Sequence, residues 1–596
     1  MKPFWRSFWA STLSYVIISI IFSVIIILIF SAITSSLSMK KELIINANTI
    51  LKIDLNQEIA ERSELKFNQN IQAPFELIMG LKEIKSSIKK AKTDDRISGI
   101  LLNTENIAIG LASLDELRDA LYDFKESGKF IYSYSENYSQ KSYYLSSLAD
   151  KIILYPEGMV DFRGLSSELL FFKNALDRLD VDVQIIRGSN NTFKSAVEPF
   201  MYEKMSPENR AQIQKLLDDL WKNMIKNIKN ERGLSIENLN EIADSIYSNN
   251  AENSLNHKLV DALAYEDQLD SIIRTNKEMA AADSIYFLDF KKYIKDNVSK
   301  QKEAEISQNQ NVAIVYAVGE IISGKSNQGK MGSETIVKAL RKAKNNPSIK
   351  AIVLRVNSPG GSALASDVIW REVQLTKEKK PVFVSMGDVA ASGGYYISCA
   401  ADRIFAGPNT VTGSIGVFGV IPNLNTMLKN KIGITVDRVE TNEHASFSML
   451  NKLSDFERKK IQEGVDDIYD DFISKVANGR DGLKKVDVDN IGQGRVWSGK
   501  EAINIELIDE IGNLNNAIDY AAKSVDIKSE DIRILNLPEI KNNQFLEILQ
   551  SLEMEEVSFS NNLNFIDKVK SILNQINENK TLYKFQARLP YEIIID

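Results

Sequence analysis

The chain has very few of the side chains from which most metal and redox sites are built. Its 596 residues include one cysteine and two histidines. A lone cysteine, Cys399, cannot form an intramolecular disulfide, and its apolar neighbours at 395–401 predict a small buried side chain rather than a reactive thiol. Two histidines are too few for a metal centre built from several of them. The sequence therefore predicts no metal ion and no cofactor.

A surplus of positive charge is also missing. The formal net charge is −7 at pH 7, and no basic stripe with interleaved aromatic residues occurs. Both observations argue against a nucleic-acid partner. The glycine-rich stretches lack the Lys-Ser/Thr ending of a phosphate-binding loop, which argues against a nucleotide site. In other respects the composition is that of a globular protein, and 596 residues suffice for two or three domains.

One long hydrophobic run is present, near the amino terminus. Residues 8–33 include no charged side chain, and about 20 apolar residues are enough to span a bilayer. A cleavable signal peptide would have an apolar region of only about 7–15 residues followed by a small-residue cleavage site. The run is too long and no such site follows, so we predict an uncleaved transmembrane anchor. Positive charges flank it on both sides, at Lys2, Arg6, Lys40 and Lys41, and do not set its orientation.

Two halves of the chain repeat one pattern. Residues 97–164 align with 349–416 without a gap, at a shift of 252. The shared residues are apolar strand positions, an aromatic pair and a turn glycine, as expected of a duplicated unit. Examples are Ile100 and Ile352, Asp115 and Asp367, Tyr143 and Tyr395, Tyr144 and Tyr396, and Gly164 and Gly416.

Short β-branched runs alternate with helical patterns in each half. The pattern predicts a strand at 351–356, a helix at 363–377 and a strand at 381–384. This order is typical of an α/β domain with largely parallel, buried strands. We assign the first repeat to 50–295, a linker or exposed helix tail to 296–311, the second repeat to 312–530 and a carboxyl-terminal extension to 531–596.

The halves differ where chemistry could occur. The second half has Ser-Pro-Gly-Gly at 358–361 and Ser-Gly-Gly at 392–394, whereas the first half has Gln140 opposite Ser392. A serine beside glycine at a helix amino terminus lets backbone N–H groups point at an oxyanion, which would suit Gly393 and Gly361. The structural alternative is that Ser392 only caps a helix or forms a turn.

A nucleophilic serine needs a base. Lysine can serve when burial keeps its amine neutral. Lys194 has unusually apolar neighbours within 192–200, although a solvated lysine or a pair with Glu198 would also fit this segment.

Four segments together resemble the long form of the signal peptide peptidase A (protease IV) family. They are 192–200 (TFKSAVEPF), 357–361 (NSPGG), 386–396 (MGDVAASGGYY) and 412–417 (TGSIGV). The resemblance extends from the predicted anchor to about residue 530. It implies two tandem crotonase-like (Clp-protease-like) repeats, with Ser392 as the nucleophile and Lys194 as the general base. It also implies that Ser414 lies near the lysine amine.

The resemblance further implies a cellular role. The chain would be a serine endopeptidase that degrades cleaved signal peptides and other unfolded apolar peptides. It would be a single-pass protein of the bacterial inner (cytoplasmic) membrane, with its catalytic part facing the periplasm, and would form a homo-oligomer, a tetramer in the family. Its partners would be peptides and membrane lipid.

Three alternatives stay open at this point. A crotonase-class acyl-CoA enzyme would use the same glycines as an oxyanion hole, but it would not explain the split between Ser392 and Lys194 or the anchor. A peptidase could use His444 as its base, since that residue lies in the second-half loop that matches the Lys194 loop. A non-catalytic membrane scaffold with a degenerate peptidase fold is the third.

Overall fold

The computed structural model describes residues 43–67, 75–276, 284–306, 310–327, 329–539 and 586–588, together with the single positions 13, 19 and 22. Apart from those three positions, the anchor predicted at 8–33 lies outside the described residues, as does most of the extension predicted at 531–596. Within the described ranges, no helix has both the length and the apolar character needed to cross a bilayer.

The first half alternates strands and helices. Its strands are β1 (Thr49–Ile53), β2 (Ile59–Ala60), β3 (Glu64–Phe67), β4 (Phe75–Gly80), β5 (Ile97–Leu102), β6 (Phe130–Ser135), β7 (Lys151–Leu154), β8 (Asp182–Arg187), β9 (Ala262–Leu263) and β10 (Tyr286–Asp289). Its helices are α1 (Leu81–Thr93), α2 (Leu111–Lys125), α3 (Gln140–Ser146), α4 (Lys173–Arg178), α5 (Glu198–Met201), α6 (Pro207–Arg232), α7 (Ile236–Asp244), α8 (Ala251–Asn256), α9 (Leu269–Asn276) and α10 (Phe290–Ile306). The segment 296–311, predicted as a linker or helix tail, is thus helical as far as Ile306.

The second half follows the same order. Its strands are β11 (Val312–Val318), β12 (Glu320–Ile322), β13 (Lys330–Gly332), β14 (Ala351–Ser358), β15 (Gly360–Ser362), β16 (Val382–Ala391), β17 (Arg403–Ala406), β18 (Val411–Gly413), β19 (Phe418–Asn423), β20 (Val496–Ser498), β21 (Glu510–Ile511), β22 (Ile534–Leu537) and β23 (Gln586–Arg588). Its helices are α11 (Ser333–Asn345), α12 (Ala363–Lys377), α13 (Gly393–Ser398), α14 (Asn425–Met427), α15 (Asp455–Gly479), α16 (Lys485–Ile491), α17 (Gly499–Ala502) and α18 (Leu514–Lys523).

Each half has a largely parallel central sheet. The first runs in the order β10-β1-β5-β6-β7-β9, and all its pairings are parallel. The second runs β20-β18-β16-β14-β11-β22, with β17 and β21 attached beside β16, and only β20 is antiparallel. Central strands such as β14 are buried at nearly every position because helices cover both faces. The predicted α/β class with parallel strands is confirmed.

The duplication predicted from the sequence is visible in the elements. Helix α2 and helix α12 have the same length and are offset by 252 residues, as are β7 and β17. The hydroxyl of Tyr143 donates to the carbonyl of Leu259, and the hydroxyl of Tyr395 donates in the same way to the carbonyl of Leu507. The two halves are therefore repeats of one fold.

A hydrogen-bonded and charged interface joins the halves. The amino-terminal part of α2 lies against the second half, where Ser113 donates through its backbone N–H and its hydroxyl to Asp388, at 2.8 and 2.6 Å. The fully buried guanidinium of Arg355 contacts Glu61 and Glu116 of the first half, at 3.1 and 2.8 Å. Breaking such a buried pair leaves an uncompensated charge, so these contacts specify one way for the halves to dock.

A third sheet crosses from one half to the other. Its order is β13-β12-β15-β23-β19-β8, so β8 of the first half ends a sheet that otherwise belongs to the second. Strands β8 and β19 pair antiparallel over six positions, from Phe418 opposite Arg187 to Asn423 opposite Asp182. This ladder positions the loop that follows β8, which carries Lys194.

Candidate active site

Ser392 lies at the turn between strand β16 and helix α13. Its backbone has φ 56° and ψ −113°, a left-handed conformation that is strained for a residue with a Cβ. The strain is held in place because the Ser392 N–H donates to the carbonyl of Gly413 at 2.7 Å, while Ser392 and its neighbours are buried. The turn presents the hydroxyl at the amino terminus of α13.

Glycines allow backbone to approach this turn closely. A Cβ on Gly394 would lie 2.6 Å from the carbonyl oxygen of Ser358, and a Cβ on Gly361 would lie 2.2 Å from that of Ile321. Gly361 also has φ 154°. The backbone at 358–361 therefore runs directly beside the amino terminus of α13, the position predicted for an oxyanion site shared by Gly393 and Gly361.

Lys194 reaches the same place from the first half. Its Nζ lies 2.8 Å from the Oγ of Ser392, 2.9 Å from the carbonyl oxygen of Ser414 and 3.0 Å from the Oγ of Ser414. A neutral amine has two N–H donors and one lone pair. The three contacts fit a neutral amine if both N–H groups donate to Ser414 and the lone pair accepts a hydrogen bond from the Ser392 hydroxyl.

Burial controls the charge of this amine. Lys194 is completely buried, and desolvation lowers its pKa well below the ordinary value of 10.5. Among the described residues no carboxylate contacts the amine, so nothing offsets the loss of hydration. Burial therefore favours the neutral form of this amine, which lies within hydrogen-bond distance of a serine hydroxyl.

The pairing of Lys194 with Glu198, one of the structural alternatives, is absent. Glu198 accepts hydrogen bonds from the backbone and hydroxyl of Ser206 and from the amide of Asn209. These hydrogen bonds hold the lysine loop against the start of α6. The other candidate base, His444, is partly exposed and contacts Glu457 at 3.3 Å.

The residues that hold the lysine loop were not predicted from the sequence. A Cβ on Gly494, which has φ 81°, would lie only 2.5 Å from the Cβ of Lys194. Gln212 donates to the carbonyl of Phe193 and accepts from the N–H of Val496. The segment around Gly494 also bonds to the Ser414 loop through the N–H of Ser414 and the carbonyl of Arg495, at 2.6 Å. The two glycines of Gly-Gln-Gly at 492–494 were the sequence feature that could have indicated this close contact.

Comparisons with known proteins identify the family of the chain. The sequence profile of peptidase family S49 matches residues 123–280 and 374–528, once in each half. Protease 4 of Haemophilus influenzae is 37% identical over 461 residues, which cover 75% of this chain and 73% of that protein. The chain belongs to peptidase family S49. It is therefore a serine peptidase, as the resemblance implied.

Other matches of this S49 peptidase point the same way. Protease 4 of Salmonella typhi is 37% identical over 456 residues, covering 75% of the chain and 72% of that protein. The chloroplastic serine protease SPPA of Arabidopsis thaliana is 29% identical over 490 residues, covering 81% and 70%. The profile of the Clp protease family matches residues 303–413, in agreement with the predicted Clp-protease-like fold. Family membership favours a peptidase over the acyl-CoA enzyme and the non-catalytic scaffold.

Replacing the buried lysine should stabilise the protein at neutral pH. Below pH 10.5 the unfolded chain binds a proton at Lys194 that the folded chain does not, so folding becomes less favourable as the pH falls towards the folded-state pKa. Lys194→Met removes this cost, about 1.4 kcal/mol for every pH unit by which the pKa is depressed. Denaturant unfolding of both proteins at several pH values measures the difference.

The gain should shrink as the pH rises towards 10.5. The exposed Lys204, changed to Met, is the matched control and should show no such pH-dependent gain. A Lys194→Met protein that is less stable than wild type by the same amount at every pH would contradict a neutral buried amine.

Proposed function

We propose that this S49 peptidase is a membrane-anchored endopeptidase in which Ser392 is the nucleophile and Lys194 the general base. The observation that carries the proposal is the 2.8 Å contact between the Nζ of Lys194 and the Oγ of Ser392 in a fully buried setting. Its substrates are cleaved signal peptides and other unfolded apolar peptides. The resemblance to the signal peptide peptidase A family and the predicted anchor support this substrate class.

The geometry suggests how the reaction proceeds. The lone pair of Lys194 takes the hydroxyl proton as the Ser392 Oγ attacks the peptide carbonyl. The N–H groups of Gly393 and Gly361 stabilise the oxyanion, and Ser414 keeps the ammonium oriented. Lys194 then gives the proton to the leaving amine, which releases the first product and leaves an acyl-enzyme. Water, deprotonated by the same lysine, hydrolyses the ester.

The chain's own strand β23 supports an extended mode of substrate binding. Residues Gln586–Arg588 pair antiparallel with Gly360–Ser362, and Gln586 is also opposite Phe418 of β19. A peptide placed there would be bound by backbone hydrogen bonds and would accept many sequences. We propose that substrates add to the third sheet at this position, next to Ser392.

The proposed location follows from the run at 8–33. As an anchor in the bacterial inner membrane, it would hold the catalytic part at the periplasmic surface, where cleaved signal peptides leave the bilayer. The Clp-protease-like fold suggests an oligomeric assembly, and we propose a homotetramer by analogy with the family.

Ser392 and Lys194 should act as a single unit. Ser392→Ala and Lys194→Met should each lower kcat/KM for a peptide substrate by about 10³-fold or more, and the double variant should lose no more than either single one. Peptide hydrolysis by the three variants and the wild type measures this.

His444→Ala is the control and should keep normal activity. In the wild type, kcat/KM should rise as the pH increases through the depressed pKa of Lys194, because only the neutral amine accepts the serine proton. Near-normal activity of Lys194→Met together with an inactive His444→Ala would replace the lysine by the histidine as base.

The peptidase should prefer extended, apolar peptides as substrates. An apolar signal-peptide mimic should be cleaved faster than a polar peptide of equal length, and a stably folded domain should resist cleavage because it cannot add a strand to the sheet. Product release is followed by mass spectrometry. Equal cleavage of all three, or selective cleavage of the folded domain, would overturn the substrate assignment and leave the roles of Ser392 and Lys194 untouched.

Removing β23 should make its position on the third sheet easier for substrates to occupy. A chain that ends at residue 580 should have a several-fold lower KM for peptides with kcat unchanged, because the strand and the substrate compete for one place. Ala587→Pro in the full chain should act in the same direction, since proline lacks the N–H that a ladder needs. An unchanged KM in both proteins would show that substrates bind elsewhere.

A further inference from the structure

The side chain of Arg495 lies between two aromatic rings that come from different halves of the molecule. Its guanidinium carbon is 4.9 Å from the ring centroid of Phe193 and 4.4 Å from that of Trp497. Phe193 directly precedes Lys194 in the first half, whereas Trp497 belongs to strand β20 of the second. A guanidinium at such distances is attracted to the faces of both rings. The stack therefore joins the lysine loop to β20.

The Trp497 end of this stack adjoins the backbone that holds the nucleophile. Strand β20 pairs antiparallel with β18, and Thr412 lies opposite Trp497. A Cβ on Gly413 would lie 2.7 Å from the Cδ1 of Trp497, so the indole packs directly on this glycine. The carbonyl of Gly413 in turn accepts the N–H of Ser392 at 2.7 Å. One ring of the stack thus lies next to the base, and the other lies next to the residue that holds the serine turn.

The backbone of Arg495 supports a third residue of the site. Its carbonyl accepts the N–H of Ser414 at 2.6 Å. Ser414 has a positive φ of 51°, and its Oγ lies 3.0 Å from the Nζ of Lys194. A strained backbone of this kind persists only when its surroundings fix it. A displacement of Arg495 would therefore affect both Ser414 and the lysine loop.

The rings, and not a carboxylate, hold the guanidinium in place. In the described part of the chain it forms no ion pair, although burial lowers the pKa of Arg495 and Glu501 acts in the opposite direction. The other charged groups at the adjacent small cavity are Lys215 and Asp219. Lys215 is paired with Asp219 and Glu501, at 2.8 and 3.0 Å. The planar face of arginine, which stacks on aromatic rings, is thus the property that this position uses.

We infer that Arg495 is a positioning residue for the base. Its stack between the two rings keeps the amine of Lys194 away from water and within reach of Ser392. The inference rests on the proposed roles of Ser392 and Lys194. Among the described residues the amine contacts only Ser392 and Ser414, and burial is the sole cause of its lowered pKa. Arg495 therefore acts on the amine through the position of the loop and not through its own charge.

Arg495→Ala should change the pH profile of peptide hydrolysis. Without the guanidinium, the lysine loop loosens and water reaches the amine, so the lowered pKa of Lys194 rises towards 10.5. The acid limb of kcat/KM should shift upward by about one pH unit or more, and kcat at neutral pH should fall about tenfold while KM changes little. A loss of folded protein alone would lower the activity at every pH without moving the limb.

Arg403→Ala is the matched control. This guanidinium is also stacked, 4.9 Å from the ring centroid of Tyr520 and 6.0 Å from that of Phe405, and it pairs with Glu510. None of these partners belongs to the lysine loop or to the Ser414 loop. The variant should therefore keep the acid limb of the wild type.

Unfolding measurements test the same inference without using activity. The stability that Lys194→Met gains at neutral pH should be smaller in the Arg495→Ala background, because an amine that water reaches costs less to bury. If Arg495→Ala does not fold, Phe193→Leu takes its place, since it keeps an apolar side chain but removes one ring of the stack. It should give both effects in the same direction.

The two measurements separate this inference from the proposed function. If Lys194→Met is inactive, an unchanged acid limb or an unchanged gain in stability would refute the role of Arg495 and leave Lys194 as the base. If Lys194→Met is active, the proposed function fails, and the gain in stability alone decides on Arg495.

Discussion

The active site depends on one energetic constraint: a lysine amine is buried where no carboxylate of the described residues compensates it. Desolvation depresses the pKa of Lys194 only as long as water is kept out. Both halves contribute to excluding water from the amine. The lysine loop of the first half lies against Gly494 of the second, and the amine lies between Ser392 and Ser414. The docking of the two repeats is therefore what keeps the pKa of Lys194 low.

Duplication allowed the two halves to specialise. The second half keeps the strained turn at Ser392, whereas the first half has Gln140 at that position. The Gln140 side chain bonds to the backbone at 163–164, accepting from the N–H groups of Arg163 and Gly164 and donating to the Gly164 carbonyl. In the first half, Gln140 thus holds the backbone that follows β7.

Local patterns in the sequence predicted local structure well, but they predicted contacts between distant segments poorly. The helix at 363–377 was predicted with its observed bounds, and the Ser392 turn follows from serine beside glycine at a strand end. The brace formed by Gln212 and Gly494 was not predicted, because it joins segments more than 250 residues apart through backbone contacts with no sequence pattern. The pairing of β8 with the sheet of the other half was not predicted, for the same reason. Glu198 shows that an acidic residue close to a lysine in sequence need not pair with it.

The separation of 198 residues between Lys194 and Ser392 has a consequence during synthesis. A growing chain contains the lysine long before the serine, and neither half alone can assemble the pair. Domains fold largely in the order in which they are made, and contacts of high sequence separation form late. If Ser392 and Lys194 act as proposed, hydrolytic competence arises only after both halves have folded and docked, and an unfinished chain cannot cleave peptides.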